Sequence, residues 1–257
     1  MSDFRALRAK IAALEAGART ARGVLPFGDP GIDEALPGGG LPLGCWHELA
    51  GVGPETETAA APAAFAALAA APLARRGEAV WVLRRDDLFA PGLSGLGFPA
   101  RRLIQVCARD EGEALAVMED ALATAGVAAV FAEIEAVDLT AGRRLQLACE
   151  KQGATGFVIR RRPYGGADRA QTGSAAATRW RIAPAPSSPV AFGLGQPRWR
   201  AELERCRGGR PGAWTLEAAL AFDPLSADHR HGTHPLRLVP DLGDRQLASP
   251  QPLRLRA

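Results

Sequence analysis

A glycine-started loop at residues 51–60, between a predicted strand and a predicted helix, carries the residues whose spacing could do chemistry. In the motif G-x-x-x-x-G-K-[ST], backbone N–H groups, a lysine and a hydroxyl hold nucleotide phosphates and Mg²⁺. Counted from Gly53, the places of the lysine and the hydroxyl hold Ala59 and Ala60. The frame of a phosphate-binding loop is therefore present without its cation or its metal ligand. The vestigial loop comprises Gly51, Gly53, Pro54, Glu55, Thr56, Glu57, Thr58, Ala59 and Ala60.

This loop predicts that the chain does not hydrolyse ATP. Losing a charge-assisted bond to phosphate costs about 1.5–3 kcal/mol, and Ala60 also removes the hydroxyl that would hold Mg²⁺. Because phosphoryl transfer depends on positioning and charge stabilisation by these groups, the two losses compound. Glu55 and Glu57 add negative charge where a triphosphate would lie. We expect no catalytic residue and no cofactor; the alternative is a divergent ATPase that uses an unusual cation.

The elements around the loop predict a doubly wound, mainly parallel α/β sheet flanked by helices. Short apolar runs indicate buried parallel strands. Alternating segments joined by a Gly208-Gly209 turn predict an antiparallel extension at one sheet edge. The predicted strands are 45–49, 80–83, 127–134, 156–159, 180–182, 198–206 and 214–217, and the predicted helices are 60–75, 113–125 and 142–152.

Acidic residues at strand ends are the candidates for holding Mg²⁺ in a divergent ATPase. Glu133 or Glu135 would serve after the strand 127–134, and Asp86 would serve after the first buried strand. A solvated loop start or a helix cap is the simpler interpretation of Asp86 and its neighbour Asp87. His47, inside an apolar strand, is predicted to be a hydrogen-bonded core residue.

Composition limits the function classes. The 257 residues are 47% apolar, enough for one core with extensions, and a formal charge of +3 does not by itself indicate nucleic-acid binding. The apolar stretch 59–74 is too short and too interrupted by proline to span a bilayer, so a cytoplasmic protein without membrane contact is expected. Four cysteines without a C-x-x-C pair favour buried thiols over a metal site. Three histidines in the C-terminal segment are interpreted as polar, not metal-binding: His229, His231 and His234.

Three segments describe the predicted organisation: an N-terminal helix and linker at 1–22, a core at 23–222, and a flexible proline-rich tail at 223–257. The linker interpretation extends to residue 28, and residues 163–178 are predicted to be a long mobile loop. Apolar residues at three- and four-residue steps give the N-terminal helix a stripe that needs a partner surface, either on its own core or on another molecule, self-association included. The stripe comprises Phe4, Leu7, Ile11 and Leu14.

Several short stretches together resemble the nucleotide core of RecA-family recombinases, over roughly residues 24–220. They are Ile32-Asp33-x-Ala35-Leu36, the run 38–43, Gly53-Pro54-Glu55-Thr56, Leu96-Gly97-Phe98, Arg102-Leu103-Ile104 and 110–115. Within that set, the lost loop lysine, the short N-terminal helix and the proline-rich tail resemble the ImuA family, which are RecA-like accessory proteins of a bacterial DNA-damage-induced mutagenesis cassette.

That resemblance implies a non-catalytic adaptor in SOS-induced translesion DNA synthesis and mutagenesis, associated with the nucleoid during DNA damage. The implied partner is an ImuB-like Y-family protein, with RecA and an error-prone replicative-type polymerase as further candidates. Two alternatives stay open: a divergent RecA-family ATPase and a single-stranded-DNA-binding module.

The arginines near the third buried strand are the candidates for DNA contact. In RecA-like proteins the matching loop faces single-stranded DNA, and arginines along a backbone with Tyr164 or Trp180 for stacking would suit weak, salt-sensitive, sequence-independent binding. The simpler alternative is a solvated strand end. The candidate residues are Arg160, Arg161, Arg162, Arg169, Arg179 and Arg181.

Overall fold

The computed structural model describes residues 23–55, 59–161, 174–187, 195–219 and 235–239. Three predicted regions lie outside the described residues: the N-terminal helix, residues 163–173 of the long loop, and most of the tail with its three histidines. Individual predicted residues that fall there are Phe4, Leu7, Ile11, Leu14, Thr56, Glu57, Thr58, Arg162 and Arg169.

Strands and helices alternate over residues 46–160 as the sequence predicts, and the described elements that follow are strands. The strands are β1 (Val24–Leu25), β2 (Leu41–Pro42), β3 (Trp46–Gly51), β4 (Glu78–Leu83), β5 (Leu103–Cys107), β6 (Val127–Glu133), β7 (Thr155–Arg160), β8 (Thr178–Ala185), β9 (Arg198–Cys206), β10 (Gly212–Ala218) and β11 (Leu236–Leu238). The helices are α1 (Pro30–Asp33), α2 (Ala60–Ala74), α3 (Ala90–Gly95), α4 (Glu111–Leu122) and α5 (Leu139–Gln152), with a 3₁₀ turn at Ala100–Arg102.

Nine of these strands form one mixed sheet, in the order β11-β10-β9-β8-β3-β7-β6-β4-β5. The six strands from β8 to β5 in that order are parallel to one another. Strands β9, β10 and β11 extend the sheet from β8 by antiparallel pairing. At the centre, Leu49 of β3 lies between Ile159 of β7 and Trp180 of β8. The predicted α/β architecture with an antiparallel edge is confirmed.

Apolar side chains cover both faces of the sheet, which is why the central strands read as continuous apolar runs. On one face α2 packs on the sheet; 12 of its 15 residues are buried, because alanine allows close approach on every side. The aromatic rings of Trp81, Phe131 and Phe157 stack on this face, with centroids 4.4 Å and 5.2 Å apart along the row. On the other face α4 and α5 pack around Trp46 and Met118.

Side-chain caps fix where the helices on the second face begin and end. Asp110 and Asp138 accept hydrogen bonds from the first-turn N–H groups of α4 and α5, at 2.8 Å and 2.7 Å. Gly153 ends α5 with φ of 78°, a left-handed conformation that glycine adopts without a steric penalty. The caps and the apolar periodicity together place these two helices.

Four details differ from the predictions. Residues 24–25, predicted as linker, pair with β2, and Leu25 and Phe27 are buried in the core of the α2 face. Strand β5 is absent from the predicted strands, since none of its residues is fully buried and its sequence mixes polar with apolar residues. Residues 174–177 lie in the predicted mobile loop, yet Ala176 is buried. Strand β11 lies in the predicted tail and pairs with β10.

Candidate functional site

The carboxyl ends of the parallel strands meet at one edge of the sheet, and the sequence-predicted site lies there. Strand β3 ends at Gly51 and α2 begins at Ala60, so loop 51–60 joins a strand to a helix as predicted. Gly53 in this loop has φ of 101°, a conformation that favours glycine. Topology therefore puts the loop beside the residues that follow β4, β6 and β7.

The two alanines of the loop stand where the helix starts. Ala59 is the residue before α2 and makes no side-chain capping bond, and Ala60 is the first helical residue. Each side chain is a methyl group, so neither supplies a positive charge or a ligand for Mg²⁺. A cation for this edge of the sheet must come from another element.

Arg161, directly after β7, supplies a cation from another element. Its Nε lies 3.3 Å from Oε1 of Glu55 in loop 51–60. Its Nη1 and Nη2 donate to the two carboxylate oxygens of Asp87 at 3.0 Å and 2.9 Å, in the bidentate geometry that guanidinium favours. Its Nη1 also donates to Oε2 of Glu133 at 2.8 Å. We call these four residues the Arg161 cluster.

The carboxylate of Glu133 is the buried member of the Arg161 cluster. Its side chain is 1% exposed, against 12% for Arg161 and 38% for Asp87. The indole Nε1 of Trp81 donates to its other oxygen, Oε1, at 3.3 Å, so both oxygens have a partner. Because Trp81 belongs to the aromatic row on the α2 face, the sheet core positions the innermost acid of the cluster.

Burial and the charge of Arg161 shift the pKa values of the acids in the cluster in opposite directions. The hydrogen bond from Arg161 lowers the pKa of Asp87 below its usual range. Loss of water raises the pKa of Glu133, and the guanidinium and the Trp81 N–H oppose that rise. The hydrogen bond to Asp87 is the largest cause that raises the pKa of Arg161, which therefore stays charged. Within the cluster Arg161 binds three acids, and the charge of Arg85 also lowers the pKa of Asp87.

The structure selects among the predicted strand-end acids. Glu133, and not Glu135, carries its carboxylate into the cluster, while the backbone N–H of Glu135 donates to Oε1 of Glu111 at 2.5 Å. After β4, Asp87 reaches the cluster, and Mg²⁺ binding by Asp86 in a divergent ATPase stays a prediction. Asp87 lies in an exposed loop after β4, as the simpler interpretation predicted, and Arg161 binds both of its carboxylate oxygens there.

The described arginines that were predicted to contact DNA all face internal carboxylates. Buried Glu48 lies between Arg160 and Arg179, with oxygen-to-nitrogen distances of 3.8 Å and 3.3 Å. Arg181 is 3.5 Å from Glu204 on the neighbouring strand. Arg161 belongs to its own cluster. Contact with DNA stays a prediction for all six candidate arginines, and the internal pairs reduce the charge that four of them can offer.

Sequence reasoning missed the role of Arg161 and grouped it with DNA-facing arginines. A signal was present: loop 51–60 holds two glutamates and no lysine, so a folded structure needs a cation from elsewhere to balance them. Arg160 and Arg161 are successive residues at a strand end and point to different sides of the sheet. Only topology shows which of them reaches the acids.

Three features together define a RecA-like α/β protein: the sheet order, the loop and helix that follow β3, and the acids at the carboxyl edge of the sheet. The crystal structure of the RadB recombinase matches this fold with a TM-score of 0.51, over 72% of this chain and 92% of that one. At 18% sequence identity, this likeness concerns the fold alone.

Sequence comparison then gives the family. The chain is 61% identical over 244 residues to Protein ImuA from two strains of Caulobacter vibrioides, NA1000 / CB15N and CB 15. The match covers 92% of this chain and 97% of each relative, so the chain belongs to the ImuA family. No family model matches the sequence. Among the described residues, none of the helices has the length and apolar character needed to cross a membrane.

Proposed function

We propose that this ImuA-family chain is a non-catalytic, RecA-like adaptor that works through protein contacts in SOS-induced translesion DNA synthesis. The observation that carries the proposal is the position of Arg161. Its guanidinium binds Glu133 and Asp87, the strand-end acids that would serve a metal ion in a working site, and Glu55 of loop 51–60. The sequence at Ala59 and Ala60 supports the same conclusion, since it lacks the lysine and the hydroxyl.

The geometry disfavours a bound nucleotide for two physical reasons. A nucleotide with Mg²⁺ would have to compete with Arg161 for Asp87 and Glu133, and displacing the guanidinium would leave buried Glu133 in need of a new cation. The triphosphate would also approach the three carboxylates of the cluster, whose negative charge opposes its own. Both effects weaken Mg-ATP binding, and the missing hydroxyl weakens catalysis further.

Membership in the ImuA family supports the place of this adaptor in a damage-induced mutagenesis cassette. The partner that we propose is an ImuB-like Y-family protein, with RecA and an error-prone replicative-type polymerase as further partners. The adaptor would act in the cytoplasm, at the nucleoid during DNA damage. The predicted stripe of Phe4, Leu7, Ile11 and Leu14 is the docking element that we favour, either for this partner or for self-association.

A nucleotide-dependence experiment tests the proposal. The full chain is co-purified with an ImuB-like protein in three buffers: without nucleotide, with Mg-ATP, and with Mg-ADP. An adaptor without a nucleotide site should give the same yield and affinity in all three. Binding that requires Mg-ATP, or that changes tenfold or more between Mg-ATP and Mg-ADP, would contradict the proposal.

The divergent ATPase is the alternative that one observation favours, because Arg161 is a cation within 3.3 Å of loop 51–60. Steady-state ATP turnover separates the two functions when the wild-type chain is compared with Arg161→Gln and Glu133→Gln variants. The adaptor predicts no turnover in any of the three. The ATPase predicts turnover in the wild type that both substitutions abolish.

The single-stranded-DNA-binding module is tested at Arg162 and Arg169, which leaves the Arg161 cluster intact. Fluorescence anisotropy with a labelled oligonucleotide is measured for the wild type and for a double glutamine variant at two salt concentrations. Wild-type binding that weakens with salt and is lost in the variant would support the module. The adaptor account expects no binding that depends on these two side chains.

A further inference from the structure

The tetrapeptide Pro-Leu-Arg-Leu occurs twice in the chain, at residues 235–238 and at 252–255. The first copy contains β11, the strand that closes one edge of the main sheet against β10. The second copy lies outside the described residues. Because the repeat is exact, the second copy has the same side chains that the first copy presents to β10.

The outer edge of β10, together with the side chains beside it, binds three successive side chains of the strand that pairs with it. We call this edge the β10 slot. Leu236 is 1% exposed and packs in the core of the α2 face, and Leu238 packs partly against the same core. Between them, Arg237 Nη2 donates to Oε1 of buried Glu217 at 2.8 Å. The β10 slot therefore selects an apolar residue, a cation and an apolar residue in an extended chain.

Backbone groups of the β10 slot complete the recognition. The N–H of Ala219 donates to the carbonyl of Pro235 at 2.7 Å, and the N–H of Val239 donates to the carbonyl of Thr215 at 2.9 Å. A proline suits the first position, because its carbonyl is used while its missing N–H falls at the start of the strand.

Residues 252–256 can supply each of these groups. Pro252 offers the carbonyl, Leu253 and Leu255 offer the apolar side chains, Arg254 offers the guanidinium for Glu217, and Arg256 offers the final N–H. We propose that residues 252–255 are a second occupant of the β10 slot, and that the two copies exchange in this slot within one chain.

Chain connectivity favours β11 only slightly. The connection from β10 to the second copy is roughly twice as long as the connection to the first, and doubling a flexible loop lowers the probability of closure about threefold. The slot therefore holds one copy at a time with a small bias.

Hydrogen exchange at β10 tests the exchange of strands in the full chain. Leu236→Asp places a carboxylate in the buried position and disables the first copy, Leu253→Asp disables the second, and a double variant disables both. Leu247→Asp, combined with Leu236→Asp, is the matched control because it adds the same charge to the same segment outside the repeat. The readout is amide protection on the outer edge of β10, including the N–H of Ala219.

Protection should persist in Leu236→Asp and in its Leu247→Asp control, and it should fall about tenfold or more in the Leu236→Asp/Leu253→Asp double variant. Equal loss of protection in Leu236→Asp and in the double variant would overturn the proposal. Protection of Leu236→Asp that rises with protein concentration, together with a doubled mass in light scattering, would overturn exchange within one chain and show exchange between two copies.

Discussion

Arg161 is the single residue on which the site depends most, since it binds one acid from each of three chain segments. Replacing it by glutamine should lower the free energy of unfolding by about 3–5 kcal/mol, because buried Glu133 would lose its cation and would have to stay charged without a partner or take up a proton. Denaturant unfolding measures this loss. The control is Arg181→Gln, whose half-exposed pair with Glu204 should contribute about 0–1 kcal/mol.

A second substitution separates charge from packing at the same site. Adding Glu133→Gln to Arg161→Gln should restore part of the lost stability, because the double variant leaves no uncompensated buried charge between these two residues. Equal stability losses for Arg161→Gln and Arg181→Gln would show that the Arg161 cluster is not an energetic unit.

His47 makes the stability depend on pH. Its Nε2–H donates to the carbonyl of Pro42 at 3.0 Å, since that carbonyl can only accept, and its Nδ1 accepts from the Thr178 hydroxyl at 2.7 Å. The Trp180 indole N–H fixes that hydroxyl by donating to it at 2.8 Å. Burial lowers the pKa of His47 from 6.5 to about 4, so its ring is neutral in the folded protein at neutral pH.

Between pH 6.5 and about 4 the unfolded chain binds the proton and the folded one does not. The stability that neutral His47 confers is full above pH 6.5 and is lost as the pH falls towards 4, by about 3 kcal/mol in total. Unfolding of the wild type and of His47→Gln at pH 7.5, 6, 5 and 4 measures the effect. A wild-type slope in this window no steeper than that of the variant would contradict the assignment.

Residue-level prediction from sequence succeeded where a residue's own type decided its role. The sequence alone shows that Ala59 and Ala60 stand where a phosphate-binding loop has its lysine and its hydroxyl. His47 is confirmed as a hydrogen-bonded core residue. Arg161 could not be assigned, because its role depends on acids about 28 to 106 positions away in the chain, which only the parallel topology brings together.

Among the elements, the predicted N-terminal helix carries the most direct prediction. Leu7→Asp with Ile11→Asp should abolish binding to the ImuB-like partner, because charges on the apolar stripe prevent its burial. Binding is measured by co-purification, and thermal unfolding of the core should stay unchanged. Ala9→Asp with Ala16→Asp adds the same charges to the opposite face and should leave binding intact.

Two outcomes would remove this helix from the interface. Full binding by the Leu7→Asp/Ile11→Asp variant shows that the partner docks elsewhere. A large drop in the unfolding temperature of that variant, with binding lost in parallel, shows that the stripe packs on its own core.

Elements were predictable from sequence where burial on both faces, or helical periodicity, left a strong pattern. Strand β6 and helix α4 lie close to their predicted bounds for that reason. Strands β5 and β11 lie at the two edges of the sheet, and each has a neighbour on one side only. Edge strands need fewer apolar residues, so their sequences resemble loops and tails.

For the whole molecule, the sheet order and the RadB likeness give the fold, and the Caulobacter relatives give the family. The RecA-like architecture normally brings a phosphate-binding loop and strand-end acids to one edge of a parallel sheet. In this chain the same edge holds an arginine that the protein itself supplies. This arrangement fits the adaptor that we propose, in which the RecA-like fold is kept and the Arg161 cluster disfavours a bound nucleotide.

Calorimetric titration of the purified full chain with Mg-ATP tests this central claim most directly. The Arg161 cluster and the two loop alanines predict no saturable heat up to about 1 mM nucleotide, where a Kd would correspond to about −4 kcal/mol. No phosphate release is expected in the same samples. Saturable binding at micromolar Mg-ATP, accompanied by turnover, would contradict the account.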